Sequence, residues 1–239
     1  MPAPRIVWIT GASSGIGRAL SEEFAAHGDI VAATARTLSS LAEMKSQLGS
    51  ASGTCAVFQC DISDHEQVQA TVGAIQSMFG GIDILINNAG ITYFKDFLHT
   101  TIEQFDEVMD INLRGLFLST KTVLPEMLAK GRGSIINVLS YAAKATYAGS
   151  SVYAASKAGA EAMMNVLRAE TRDKGIKIVN VYPGAVFTPI WHSKHLEQYG
   201  HQMMKPAEIA KALYEISCQP PSMMMEDVVI RPQVGDLRV

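Results

Sequence analysis

Seven short apolar runs recur along the chain, with helix-length stretches between them. They are RIVWIT (5–10), DIVAATA (29–35), TCAVFQ (54–59), DILIN (83–87), GSIINVLS (133–140), IKIVNVY (176–182) and DVVIRP (227–232). Most are nearly continuous in apolar residues rather than alternating, which is how strands buried on both faces read. Strands of that kind need a helix against each face, and the intervening stretches are long enough for crossover helices. The pattern predicts an α/β fold, with a central parallel sheet of about seven strands, doubly wound, and helices on both faces. No linker, low-complexity segment or solenoid repeat interrupts the pattern, so residues 1–239 read as one domain.

Composition narrows the classes. Apolar residues make up 48% and charged residues 18% of the chain, enough for a sizeable core. A formal net charge of −3 gives no field that favours nucleic acid or an anionic membrane. No apolar run approaches the roughly 20 residues that span a bilayer, and the first glycine turn comes too early for a secretory leader. The three cysteines, Cys55, Cys60 and Cys218, form no CxxC pair. The expectation is a reduced, cytoplasmic protein with no metal site. His192, His195 and His201 have spacings that fit no common zinc pattern.

In doubly wound sheets, ligands bind beyond the carboxyl ends of the strands. The residues just after each run therefore carry the chemistry. TGASSGIG (10–17) closes the first strand and opens a helix from about 16 to 27. Gly11, Gly15 and Gly17 lack Cβ atoms, so the backbone can bring its N–H groups to a pyrophosphate at a helix N-terminus. NNAG (87–90) follows the fourth strand. Asp61, after the third, either caps the next helix or points at an adenine ring.

SSVYAASKAGA (150–160) holds one phenol, Tyr153, and one ammonium, Lys157, four residues apart among Ala, Ser and Gly. In a helix that spacing puts both on one face. An ammonium ~5 Å from a phenol, at an effective dielectric of ~20, favours phenolate by roughly 3 kcal/mol. That corresponds to about 2 pKa units, toward the working pH of an acid–base catalyst. Ser140 ends the fifth strand, and Asn112 interrupts a helical stretch in DINLRG, where it suggests a bound water or a local kink.

With YPGAVFTP (182–189), these motifs resemble the short-chain dehydrogenase/reductase family over nearly the whole chain, from Thr10 to about Thr188. The resemblance implies a Rossmann-type fold and an oxidoreductase that moves a hydride between a nicotinamide and a carbonyl or secondary alcohol. It implies Tyr153 as acid/base, with Lys157 lowering its pKa and holding the nicotinamide ribose. Ser140 would bind the substrate oxygen, and Asn112 would hold a relay water. Gly11, Ser13, Ser14, Gly15, Ile16 and Gly17 would line the pyrophosphate and adenosine, Asp61 and Ile62 the adenine, and Asn88 and Gly90 the adjoining ribose. Pro183, Val186 and Thr188 would meet the nicotinamide end. Two positions depart from the family pattern: Leu139 stands where a second serine is common, and Ala143 where glycine is common.

No carboxylate lies between Val31 and Ala42, whereas Arg36 follows the second strand with Thr37, Ser39 and Ser40 beside it. An acidic residue here suits the ribose 2′-hydroxyl of NAD, and an arginine suits a 2′-phosphate. The expected cofactor is NADP(H). Residues 188–204 read as a mobile lid over the substrate, with Phe94, Tyr147 and Trp191 as candidate walls. The tail DVVIRPQVGDL is similar to the hydroxy-acid and serine dehydrogenase branch. A 3-oxoacyl thioester reductase, or a dinucleotide-binding sensor without turnover, are the competing readings. Family members commonly pair the helix carrying YxxxK and the one before it, which implies a homotetramer, with a dimer next.

Overall fold

The computed structural model describes residues 3–47 and 54–237. Seven strands, β1 (Ile6–Thr10), β2 (Ile30–Ala35), β3 (Cys55–Gln59), β4 (Ile84–Asn87), β5 (Gly133–Val138), β6 (Ile176–Pro183) and β7 (Asp227–Ile230), form one sheet in the order β3-β2-β1-β4-β5-β6-β7. Every neighbouring pair is parallel. The expected α/β doubly wound sheet is therefore present. The central runs β1 and β4 are buried almost throughout, while the edge strands β3 and β7 are only partly so.

Among the described residues eight α-helices surround the sheet: α1 (Gly15–Ala26), α2 (Leu38–Gln47), α3 (His65–Phe79), α4 (Ile102–Met109), α5 (Gly115–Lys130), α6 (Ser151–Thr171), α7 (Ser193–Tyr199) and α8 (Pro206–Ser217). They divide the core into two layers. One face of the sheet, with Val7, Ile9, Val31 and Ile136, packs on Leu20 and Phe24 of α1, Leu41 of α2 and Leu213 of α8. The other, with Trp8, Leu85, Ile135 and Ile178, packs on Val72 of α3, Val123 and Met127 of α5 and Met164 of α6. Alternate residues of each strand serve opposite layers, which is why the runs are apolar without a break. No described helix is long and apolar enough to cross a membrane.

A polar row crosses the second layer. Asn87, Asn137 and Asn180 stand in register on β4, β5 and β6. Asn87 Nδ2 donates to Asn137 Oδ1 (2.9 Å), Asn137 Nδ2 to Asn180 Oδ1 (3.0 Å), and Asn180 Nδ2 to Asn165 Oδ1 on α6 (3.0 Å). Ser119 Oγ donates to Asn87 Oδ1 at the near end, and Arg168 Nη1 to Asn165 Oδ1 at the far end. Buried amides need such partners, and this row supplies them among its own members.

β1 has β2 on one side and β4 on the other, so the strand order reverses there. The carboxyl ends of β1, β2, β4 and β5 open onto a common cleft, as the switch-point rule requires.

Candidate active site

The first loop is shaped by close approach. Gly11 has φ +65°, and a Cβ there would stand 2.8 Å from Ala89 Cα. At Gly17 a Cβ would collide with the Gly11 carbonyl oxygen and with Asn88 Nδ2. The loop after β4 is stitched to this one. Thr10 Oγ1 accepts from the N–H groups of Asn88 and Ala89, both at 3.0 Å. Asn88 Nδ2 donates to the carbonyls of Thr10 (3.0 Å) and Gly11 (3.1 Å). Ser14 occupies the N-cap of α1 in extended geometry, and its side chain makes no capping bond. The leading N–H groups of α1 keep their positive end of the dipole for an anion.

Tyr153 and Lys157 lie on α6, as the four-residue spacing requires. Lys157 is buried. Its Nζ donates to the Val138 carbonyl at 2.9 Å and lies 5.8 Å from the Tyr153 ring centre. Gly90 lets the backbone come this close: a Cβ there would lie 3.3 Å from both Lys157 Nζ and Asn112 Oδ1. Burial pushes the Lys157 ammonium down to about 8. Burial also raises the Tyr153 phenol, against the opposing pull of a hydrogen bond with the Ser140 hydroxyl. The pairing with Lys157 predicts the other direction for Tyr153; the phenol's own desolvation sets the direction found.

Ser140 lies two residues past β5, whose last residue is Val138 rather than Ser140. It caps a single 3₁₀ turn (Tyr141–Ala143), its Oγ accepting from Ala142 N at 3.1 Å. The hydroxyl proton stays available to another acceptor. Asn112 sits in a π-helical turn (Asp110–Arg114) between α4 and α5. Asn112 thus stands where the regular helical ladder is interrupted, at the position the sequence marks for a bound water or a local kink. Its Oδ1 accepts from Ile91 N (2.8 Å), and its Nδ2 donates to Ile91 O (2.9 Å) and Ser156 Oγ (3.0 Å). Ser156 in turn donates to the Tyr153 carbonyl at 2.8 Å. A chain of bonds thus runs from the β4 loop to the turn of α6 that carries the phenol.

One cavity of about 1090 Å³ gathers these parts. Of the residues the resemblance assigns to catalysis and to the cofactor, all line it except Gly17, which packs beneath the loop, and Asn112, which braces it from behind. Arg36, Asp61 and Ile62 stand on the side of β2 and β3, and Ser140, Tyr153 and Lys157 on the side of β5. Helix capping falls to Asp64, which accepts from Glu66 N and Gln67 N. Asp61 instead closes a local turn, accepting from Ser63 N and Ser63 Oγ, while it lines the cavity.

Phe94, Tyr147 and Trp191 are all cavity walls. Phe94 and Trp191 stack at 5.1 Å, and Trp191 Nε1 donates to the Val186 carbonyl at 3.1 Å. Two wall residues contribute buried polar atoms without a partner among the described residues, Thr92 Oγ1 and His195 Nδ1. Tyr147 donates to Asp236 Oδ1 at 2.7 Å, which draws the C-terminal segment onto the same cavity. Thr10, Ser156 and Asp236 are not among the residues the sequence singles out. Thr10 belongs to the first glycine motif and Ser156 to the YxxxK stretch, so their positions carried the only available signal.

The family model described as short chain dehydrogenase matches residues 5–198. The chain is 33% identical to the sepiapterin reductase of Chlorobaculum tepidum over 98% of each sequence. It is 31% identical to the glycine betaine reductase ATRR of Emericella nidulans, over 96% of this chain but only 19% of that much longer protein. Among solved structures, the closed form of a serine dehydrogenase complexed with NADP+ superimposes with a TM-score of 0.90 at 27% identity, covering 98% of this chain and 97% of that one. The matched motifs, the sheet order and the cavity at its switch point coincide, and the chain belongs to the short-chain dehydrogenase family of oxidoreductases.

Proposed function

We propose that this protein is an NADP(H)-dependent oxidoreductase that interconverts a carbonyl compound and a secondary alcohol, with Tyr153 as its acid/base. The observation that carries the reading is the convergence of Ser140, Tyr153 and Lys157 on a cavity that also reaches the glycine loop and Arg36. β2 and β5 are three strand steps apart, or ~14 Å, so the cavity has the reach for an extended dinucleotide. The residues fit such a group: a loop that no Cβ would allow, an uncapped helix start, and a guanidinium at the far side. Arg36 would hold the 2′-phosphate, the N–H groups around Gly15 the pyrophosphate, and Val186 and Thr188 the carboxamide. The nicotinamide, when bound, supplies or accepts the hydride.

The chain's own residues handle the proton. Burial keeps the Tyr153 phenol protonated at neutral pH, as a general acid requires. In reduction its O–H passes a proton to the forming alkoxide, while the Ser140 hydroxyl donates to the same oxygen. The phenolate left behind faces the Lys157 ammonium, 5.8 Å from the ring centre, an attraction of roughly 3 kcal/mol at an effective dielectric of ~20. Asn112 fixes the backbone around both groups. We read the described residues as one catalytic unit, the segment 188–204 as its lid, and the working assembly as a homotetramer.

The test is Tyr153→Phe, which keeps the ring and removes the transferable proton. Turnover of carbonyl substrates falls by ~10²–10⁴-fold, the usual worth of a general acid, while dinucleotide affinity stays near wild type. Wild-type turnover in the variant overturns the assignment.

A further inference from the structure

The guanidinium read above as the 2′-phosphate site already has a counter-ion, and it comes from a distant part of the chain. Arg36 is more than half exposed at the rim of the cavity, and its Nη1 lies 3.7 Å from Glu107 Oε1 on α4. The carboxylate is held in place from the other side, where the Tyr93 hydroxyl donates to Glu107 Oε2 at 2.5 Å. Glu107 raises the Tyr93 pKa, so the phenol remains a donor at working pH. The backbone of Arg36 is pinned as well, its carbonyl accepting from Gln59 Nε2 at 2.9 Å. Among the described residues Arg36 is the only ion-pair partner of Glu107, and Glu107 the only one of Arg36. An anion that approaches Arg36 therefore meets a fixed negative charge just behind it.

We propose that Glu107, positioned by Tyr93, competes with the 2′-phosphate of NADP(H) for Arg36, and so sets how tightly the phosphorylated cofactor is held relative to NAD(H). The inference rests on the reading of Arg36 given above. It concerns specificity rather than chemistry: Glu107 is not among the residues that line the cavity. A carboxylate in this position tempers an arginine that would otherwise hold a phosphate dianion more tightly.

The experiment is equilibrium binding of NADP+ and of NAD+, by quenching of protein fluorescence, to wild type, Glu107→Gln, Arg36→Ala and the double variant. Glutamine keeps the size of the side chain and an acceptor for Tyr93. Glu107→Gln tightens NADP+ by roughly fivefold, the upper range for a partly exposed ion pair, and leaves NAD+ unchanged. The gain shrinks in 1 M salt, where the screening length falls to about 3 Å, and it is absent in the Arg36→Ala background. If Glu107→Gln instead weakens NAD+ and spares NADP+, the carboxylate holds ribose hydroxyls and the proposal fails. A gain that persists without Arg36 also overturns it. If Arg36→Ala leaves NADP+ affinity intact, the reading of Arg36 falls, and the competition with it. If Arg36→Ala weakens NADP+ while Glu107→Gln does nothing, the inference falls alone.

Discussion

Lys157 keeps its ammonium where little water reaches it, with the Val138 carbonyl taking one of its three N–H donors. Burial lowers its pKa from 10.5 to about 8. Below pH 8 the group is protonated in both folded and unfolded chains. Between pH 8 and 10.5 the unfolded chain holds the proton more often, so this residue makes the fold more stable as pH rises. The slope approaches 1.4 kcal/mol per pH unit at most. In Lys157→Met that contribution disappears: urea melts at pH 8, 9 and 10 show the stability of wild type gaining on the variant by about 1 kcal/mol per pH unit. A constant gap across that range refutes the assignment. At this scale the sequence is informative where the partners share a helix. Tyr153 and Lys157 can be read from their spacing, whereas the burial that reverses the expected shift of the phenol depends on the packed fold rather than on any local pattern. The same holds for Thr10 and Asn88, whose bonds to each other's loops no local pattern reveals.

The π turn between α4 and α5 shows how an element can be bent to serve a single side chain. An extra residue in the turn breaks the regular ladder and brings Asn112 against the Ile91 backbone, where it answers both the N–H and the C=O. Asn112→Ala leaves those two groups and Ser156 short of partners in a buried setting. The cost is about 2–4 kcal/mol, or a melting temperature lower by roughly 4–16 °C for a chain of this size. Calorimetry checks it, and a variant that melts within 2 °C of wild type shows that the turn does not depend on this residue. Asparagine in a helical stretch was the sequence signal for a kink, but the backbone it grips was not readable. Strand ends were less legible than strand centres. The apolar run continues past β5 as far as Leu139, which is buried and still donates to the Val181 carbonyl of β6 at 2.8 Å. The sequence left Asp61 as either the cap of α3 or an adenine contact; the cap is Asp64, one turn of backbone further on, and Asp61 turns to Ser63.

At the scale of the whole molecule, the two-layer core follows from strands apolar on both faces, and this part of the fold was the most legible. The outer surface was less so, although the helix carrying YxxxK and the two before it do present apolar groups. Phe105 on α4, Phe117 on α5 and Val166 on α6 are each at least 41% exposed in the single chain. The proposed homotetramer would cover such positions. Sedimentation at micromolar concentration is expected to give a tetramer, and Phe117→Glu, a charge placed in that face, to shift the population toward smaller species. A monomer at that concentration refutes the assembly. The asparagine row bears on how the chain finds its sheet. β4, β5 and β6 are joined by long crossovers, so their pairing forms late and slowly. Apolar strands of similar composition can collapse together in several alignments that bury almost the same area. The row tells those alignments apart. A slip of one residue moves Asn137 to the opposite layer, and a slip of two parts it from both Asn87 and Asn180. Either leaves buried amides without partners, at about 1–3 kcal/mol for each one. Hydrophobic collapse alone would accept such mistakes; the three asparagines set a penalty on each of them, so the native alignment stands apart in energy from its near neighbours.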